Sequence, residues 1–135
     1  MENYKIFVSH GSKDLWLAGQ ISKEIREAGA NTFLDETNIP KGCSDYKKVI
    51  RKEIKESQEL LAIFTPWSSL RSWVWIEIGA AWNREIPIIA VFYGMSVNDL
   101  EETGQGKAIL EDINIININD LNSYIKELHL RIKEV

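Results

Sequence analysis

Two runs of almost unbroken hydrophobicity constrain this chain more than any other feature: Glu59-Leu60-Leu61-Ala62-Ile63-Phe64-Thr65 and Ile86-Pro87-Ile88-Ile89-Ala90-Val91-Phe92. Each has the length of a strand, and neither alternates apolar with polar residues. A strand of this kind is covered on both faces, as in a parallel sheet with helices above and below. Pro66 ends the first run, and Pro87 sits at the start of the second, where a strand tolerates it. Between them, residues 72–84 read as a helix.

The same alternation runs through the rest of the chain. Residues 4–9 read as a strand. His10-Gly11-Ser12-Lys13-Asp14 reads as a turn in which Ser12 or Asp14 is placed to cap a helix. That helix repeats apolar residues at Leu15, Ala18, Ile21, Ile25 and Ala28 and closes at Gly29. A second strand comes next, at residues 31–35. Residues 36–43 form a loop punctuated by Pro40 and Gly42, and Ser44 or Asp45 can cap the next helix. That helix, at 45–57, puts Tyr46, Val49, Ile50 and Ile54 on one face. Its other face carries Lys47, Lys48, Arg51, Lys52 and Lys55, a basic stripe interrupted by Glu53 and Glu56 that reads as a solvated surface. Residues 93–106 are polar, with a short helical turn near 97–101. A weaker strand at 113–118 suits a sheet edge, and Asp120 caps a last helix with Leu121, Tyr124, Ile125, Leu128 and Ile132 inward.

Five strands alternating with helices predict an α/β fold: a doubly wound, five-stranded parallel sheet with helices on both faces. With 135 residues the chain reads as one domain spanning 1–135. Ligands of such folds bind outside the carboxyl ends of the strands. That places the functional edge at residues 9–14, 35–42, 65–72 and from Phe92 onward.

Composition narrows the classes of function. A net charge of −4 argues against a dedicated nucleic-acid binder. The one cysteine, Cys43, excludes an intrachain disulfide and points to a reducing, cytoplasmic setting. No apolar run is long enough to span a membrane, and the first residues lack the apolar stretch of a signal peptide. With His10 and His129 as the only histidines, a Cys/His metal site is not expected. The loop after the first strand lacks G-x-G-x-x-G, and no G-x-x-x-x-G-K-[ST] loop occurs. A triad of His10, Asp35 and a serine has no nucleophile elbow to support it.

The helix at 72–84 holds the sharper signal. From Ser72 to Asn83 its one charge is Glu77, set among Trp73, Trp75 and Trp82, small residues and β-branched residues. A helix apolar all round is buried. A carboxylate on it either pairs with donors or faces a cleft, where such groups do chemistry. No basic residue lies three or four positions away, and Trp73 shares its face at i−4.

Several of these segments resemble a known family. Lys5-Ile6-Phe7-Val8-Ser9-His10 resembles the first-strand box of TIR (Toll/interleukin-1 receptor) domains. Phe33-Leu34-Asp35 through Ile39 and Gly42 resembles the end of their second strand and their BB loop. Ser72-Trp73-Val74-Trp75-Ile76-Glu77 resembles the W-x-x-x-E segment of the bacterial NAD-cleaving members, and Pro87-Ile88-Ile89-Ala90-Val91 resembles their fourth strand. The four occur in order and at family spacing.

The resemblance implies a flavodoxin-like sheet and an NAD+ nucleosidase, hydrolase or cyclase, in antiphage or immune-type signalling. It implies Glu77 as the catalytic carboxylate. Phe7, Ser9, His10, Asp35, Asn38 and Trp73 become substrate contacts. Asp35, Ile39, Pro40 and Gly42 fall on a self-association loop. NAD+ is then substrate, no cofactor or metal is required, and a separate sensor or effector chain is an expected partner. Trp75 and Trp82 are left to core packing. Two rivals stand beside this reading: a non-catalytic TIR interaction module, and an enzyme resembling nucleoside deoxyribosyltransferases.

Overall fold

The computed structural model describes residues 4–34, 45–68, 72–104 and 110–134. Its strands are β1 (Lys5–Ser9), β2 (Asn31–Leu34), β3 (Glu59–Phe64), β4 (Ile88–Phe92) and β5 (Asn114–Asn117). Its helices are α1 (Leu15–Glu27), α2 (Tyr46–Glu56), α3 (Ser72–Asn83), α4 (Val97–Glu102) and α5 (Leu121–Glu134). The five strands form one parallel sheet in the order β2-β1-β3-β4-β5. This is the flavodoxin-like arrangement expected from the alternation.

Strand side chains point alternately to the two faces, and each face has its own apolar layer. Ile6, Val8, Leu61, Ile63, Ile89 and Val91 pack under α1 and α5. Phe7, Leu60, Ala62, Phe64, Ala90 and Phe92 pack under α2, α3 and α4. β3 and β4 are buried along their whole length, which explains their lack of alternation. β5 is the exposed edge. α1 ends at Gly29, whose φ of 111° is a left-handed stop that glycine adopts without strain.

Asp14 precedes α1 as expected, but its side chain makes no cap hydrogen bond; Thr65 takes it instead. Trp82 is also not a core residue. It is 49% exposed and donates its indole N–H to Asp112 Oδ2 at 2.9 Å. Trp75, by contrast, is half-buried with its ring centroid 5.2 Å from that of Phe64.

At the amino end of β3 lies Glu59, completely buried. Its carboxylate accepts from the Tyr4 hydroxyl, from the Tyr124 hydroxyl at 2.8 Å, and from Arg131 Nε and Nη2 at 3.0 and 3.1 Å. Arg131 also lies over the Tyr124 ring, 5.5 Å from its centroid. Burial, then the hydrogen bond to the Glu59 carboxylate, push the Tyr4 phenol up to about 12. Burial and the Glu59 charge raise Tyr124 as well.

An unfolded chain loses phenolic protons near pH ~10, so above that pH the folded state binds more of them and stability falls as pH rises. The contribution is fully present below that point and is lost as pH climbs through the raised values. The urea midpoint is therefore expected to drop from about pH 10 upward. Tyr4→Phe should flatten that slope. An unchanged slope would place the alkaline loss elsewhere.

Candidate active site

The sheet order reverses between β1 and β3. The connection after β1 runs over one face through α1, and the one entering β3 runs over the other through α2. A crevice at the carboxyl ends is the expected result. Ser9 is the last residue of β1 and pairs in register with Ala62 of β3 at this point.

α3 brings the second group. Its buried residues are Val74, Glu77, Ile78 and Ala81, the i, i+3, i+4, i+7 stripe of a helix lying on a sheet. Glu77 takes a position in that stripe where an apolar residue is the rule, and only 1% of it is exposed. Its Oε1 accepts a hydrogen bond from Ser9 Oγ at 2.6 Å. The strand end and the helix are thus joined by a buried side-chain hydrogen bond.

Next to Ser9, His10 is buried at 3% exposure, and its Nδ1 lies 2.7 Å from the Gly11 carbonyl oxygen. A carbonyl only accepts, so Nδ1 carries the proton. Glu77 and His10 each take part in further interactions beyond these. Trp73 is half-buried, with its ring 5.9 Å from that of Tyr46 at the start of α2.

Phe7 stands apart from the cleft. It is fully buried, with its ring 5.2 Å from that of Phe33 in the layer under α2 and α3. The structure thus joins Ser9 to Glu77, sets His10 beside them in the chain, and leaves the Phe7 ring in the core. Asp35, Asn38, Ile39, Pro40 and Gly42 lie outside the described residues.

One network at this edge is not legible in the sequence. Thr65 Oγ1 donates to the buried Asp14 carboxylate at 2.7 Å. Ser68 Oγ accepts from Thr65 N–H at 2.8 Å and donates to the Ile63 carbonyl at 2.9 Å. These bonds tie the loop after β1 to the loop after β3. The one signal for it is Thr65-Pro66-Trp67-Ser68 at a strand end, where short hydroxyl side chains bond neighbouring backbone. Trp67 is more than half exposed, and with Gly11, Ser12 and Lys13 it bounds a cavity of about 130 Å³.

Larger cavities, of about 460, 480 and 590 Å³, lie elsewhere on the surface. Volume therefore does not select the site; a buried carboxylate at the topological switch point does. Among the described residues, no three His, Cys, Asp or Glu side chains are grouped to hold a metal. No described helix is long and apolar enough to cross a membrane.

A sheet in this order, with a buried glutamate bonded to the end of β1, defines an α/β protein with a candidate site at the strand ends. A family model for the TIR domain matches residues 6–129. The chain belongs to the TIR domain family.

Among solved structures, a metazoan TIR-STING receptor from C. gigas, in complex with 2',3'-cGAMP, superposes with a TM-score of 0.70 at 18% identity. The match covers 95% of this chain and 40% of that one, so the chain spans well under half of the receptor. The TIR domains of the activated Roq1 resistosome, which recognises the pathogen effector XopQ, give 0.61 at 18% identity, over 93% of this chain and 81% of that one. BcmB, a CMP N-glycosidase of Clostridium botulinum, gives 0.55 at 20% identity, over 93% and 98%. At these identities the likeness is one of fold. No curated protein sequence matches the chain.

Proposed function

We propose that this TIR domain is an NAD+ nucleosidase that breaks the nicotinamide–ribose bond with Glu77 as its catalytic carboxylate. The observation that carries this reading is the Glu77 side chain itself. It is a carboxylate in the buried stripe of an otherwise apolar helix, bonded to Ser9 where the sheet order reverses.

The chemistry suits one carboxylate. Nicotinamide leaves neutral, taking the electron pair of the C–N bond, so no strong acid is needed. Positive charge then builds on the ribose as an oxocarbenium ion, and a fixed negative charge nearby lowers the barrier. Water adds to the ribose carbon and loses a proton, giving ADP-ribose. Where water is held out, an adenine nitrogen or ribose hydroxyl adds instead, giving a cyclic isomer.

Ser9 orients Glu77, and His10, Trp73, Asp35, Asn38 and the backbone at Phe7 belong to the substrate-facing edge. Asp35, Ile39, Pro40 and Gly42 mediate self-association. NAD+ is substrate, with no cofactor. The setting is cytoplasmic antiphage or immune-type signalling, with a separate sensor or effector chain as partner.

A second reading is favoured by the likeness to BcmB, which is named for cleaving a different ribosyl C–N bond, that of CMP. Here Glu77 does the same work on a nucleotide. One experiment separates the readings: incubate concentrated protein with NAD+ or with CMP, and track free nicotinamide or cytosine by chromatography. Nicotinamide release supports the NAD+ reading. Cytosine release alone supports the second, and neither base supports a non-catalytic module.

Ser9→Ala tests the positioning role. A hydrogen bond to a charged group contributes about 1.5–3 kcal/mol, so turnover should fall roughly 10- to 100-fold. KM should change little. A fall in KM-linked binding with turnover intact would make Ser9 a substrate contact instead.

A further inference from the structure

Between β1 and α1 the chain turns tightly, and the hydrogen bonds of the turn meet at the Gly11 carbonyl. That oxygen accepts twice: from the Asp14 backbone N–H at 3.0 Å and from His10 Nδ1–H at 2.7 Å. The direction of the His10 ring is therefore set by where Asp14 holds this carbonyl. Gly11, His10 and Asp14 are all buried, where a hydrogen bond is stronger and a lost one is costly.

Asp14 is itself held from outside its own loop. A carboxylate at the start of a helix ordinarily takes the helix N–H groups, and the Asp14 side chain makes no such cap. Its Oδ2 instead accepts from Thr65 Oγ1, which lies 51 positions along the chain at the end of β3. Thr65 is wholly buried, and a hydroxyl has one proton to give. The same Oγ1 accepts from the backbone N–H of Trp67 and of Ser68, each at 3.3 Å. Thr65 thus fixes its own turn with its lone pairs and the turn after β1 with its proton.

The path is continuous. It runs from Thr65 Oγ1 to the Asp14 carboxylate, from Asp14 N–H to the Gly11 carbonyl, and from there to His10 Nδ1. One residue back along the chain, Ser9 Oγ meets Glu77. The Asp14–Thr65 bond therefore stands behind His10 as Ser9 stands behind Glu77.

We infer that Asp14 and Thr65 are positioning residues: acting through the Gly11 carbonyl, they hold the His10 imidazole in one tautomer and one orientation at the cleft. Neither touches substrate. That the cleft holds NAD+ rests on the proposed activity; the aim of the ring does not.

The test reads the ring directly. Long-range proton–nitrogen NMR of the imidazoles distinguishes the Nδ1–H tautomer from the other. His129 is the internal control, because its Nδ1 lies 3.0 Å from a carbonyl outside this path, that of Ala28. Thr65→Val keeps the shape and removes the hydroxyl. It should move the His10 nitrogen signals toward a mixture of tautomers and leave those of His129 in place. Thr65→Ser keeps the hydroxyl and should restore the wild-type signals. With NAD+, Thr65→Val should raise KM about tenfold and change saturated turnover by less than about twofold, because a misaimed substrate contact loses binding.

Thr65→Val also leaves the Asp14 carboxylate buried without its partner, which costs stability. Asp14→Ala breaks the same tie with no carboxylate left behind, and it should move the His10 signals in the same way. Far-UV circular dichroism checks the fold of both. A folded variant of either kind with wild-type His10 signals overturns the inference, whether or not the chain releases nicotinamide. Unfolding of both variants makes the tie structural and overturns it too. So does an unmoved KM in a chain that does release nicotinamide. A wild-type chain that releases none, with His10 moved in the variants, removes the NAD+ activity and supports the positioning role.

Discussion

Glu77→Gln is expected to reduce nicotinamide release by about 10³-fold or more, while the melting temperature holds or rises. Fixed charge aimed at a developing transition-state charge is typically worth several kcal/mol, and each ~1.4 kcal/mol is tenfold in rate. Gln keeps the volume of Glu and an oxygen to accept the Ser9 hydroxyl, so the 2.6 Å contact survives and the charge does not. A neutral amide costs less than a carboxylate to bury, so the fold does not suffer. Glu77→Ala is the poorer control, because it also empties space beside Val74 and Ile78. Single-turnover release of nicotinamide, with a melting curve for each variant, makes the comparison. A Gln variant that turns over like wild type would remove Glu77 from the chemistry. A Gln variant that unfolds would make Glu77 structural.

The largest effect on stability belongs to Arg131→Met, expected to cost about 3 kcal/mol and to lower the melting temperature by about 10 °C. Its guanidinium gives two hydrogen bonds to Glu59, whose side chain is wholly buried. Removing a partner of a buried charge leaves that charge uncompensated, the costly case for ion pairs. The Arg131 side chain is 37% exposed, so solvent screening keeps the cost at the low end. The Tyr4 and Tyr124 hydroxyls still hold the carboxylate, so the variant should remain folded at room temperature. Urea denaturation measures it. Adding Glu59→Gln should recover part of the loss, because the orphaned charge goes. No recovery would place the cost in packing against the Tyr124 ring.

These two glutamates mark how far the chain can be read without its coordinates. The fold is legible because β3 and β4 carry their burial openly: a strand covered on both faces has no polar positions. Glu77 is legible for the opposite reason, as a lone charge on a helix with no local cation. Glu59 is not. A charge at the first residue of an apolar run reads as the run's boundary, and its partners lie 55, 65 and 72 residues away. Asp14 is a similar case. Local chemistry favours a helix cap, and the sheet instead brings Thr65 to it from 51 residues away. Trp82 reads as a core residue because it sits in an apolar helix. Hydropathy alone does not show that the helix has an outer face, and α3 has one. At the site, the Ser9–Glu77 pairing joins residues 68 apart, a separation at which the sequence offers the family resemblance and no local signal.

Ile76 and Glu77 are neighbours in the chain and point in opposite directions, one to the surface and one to the end of β1. A single peptide unit joins them inside a rigid helix in a close-packed layer. The exposed Ile76 and the 2.6 Å Ser9–Glu77 contact are therefore separated by the width of one helix. A rigid-body shift of α3 would carry Ile76 and Glu77 together.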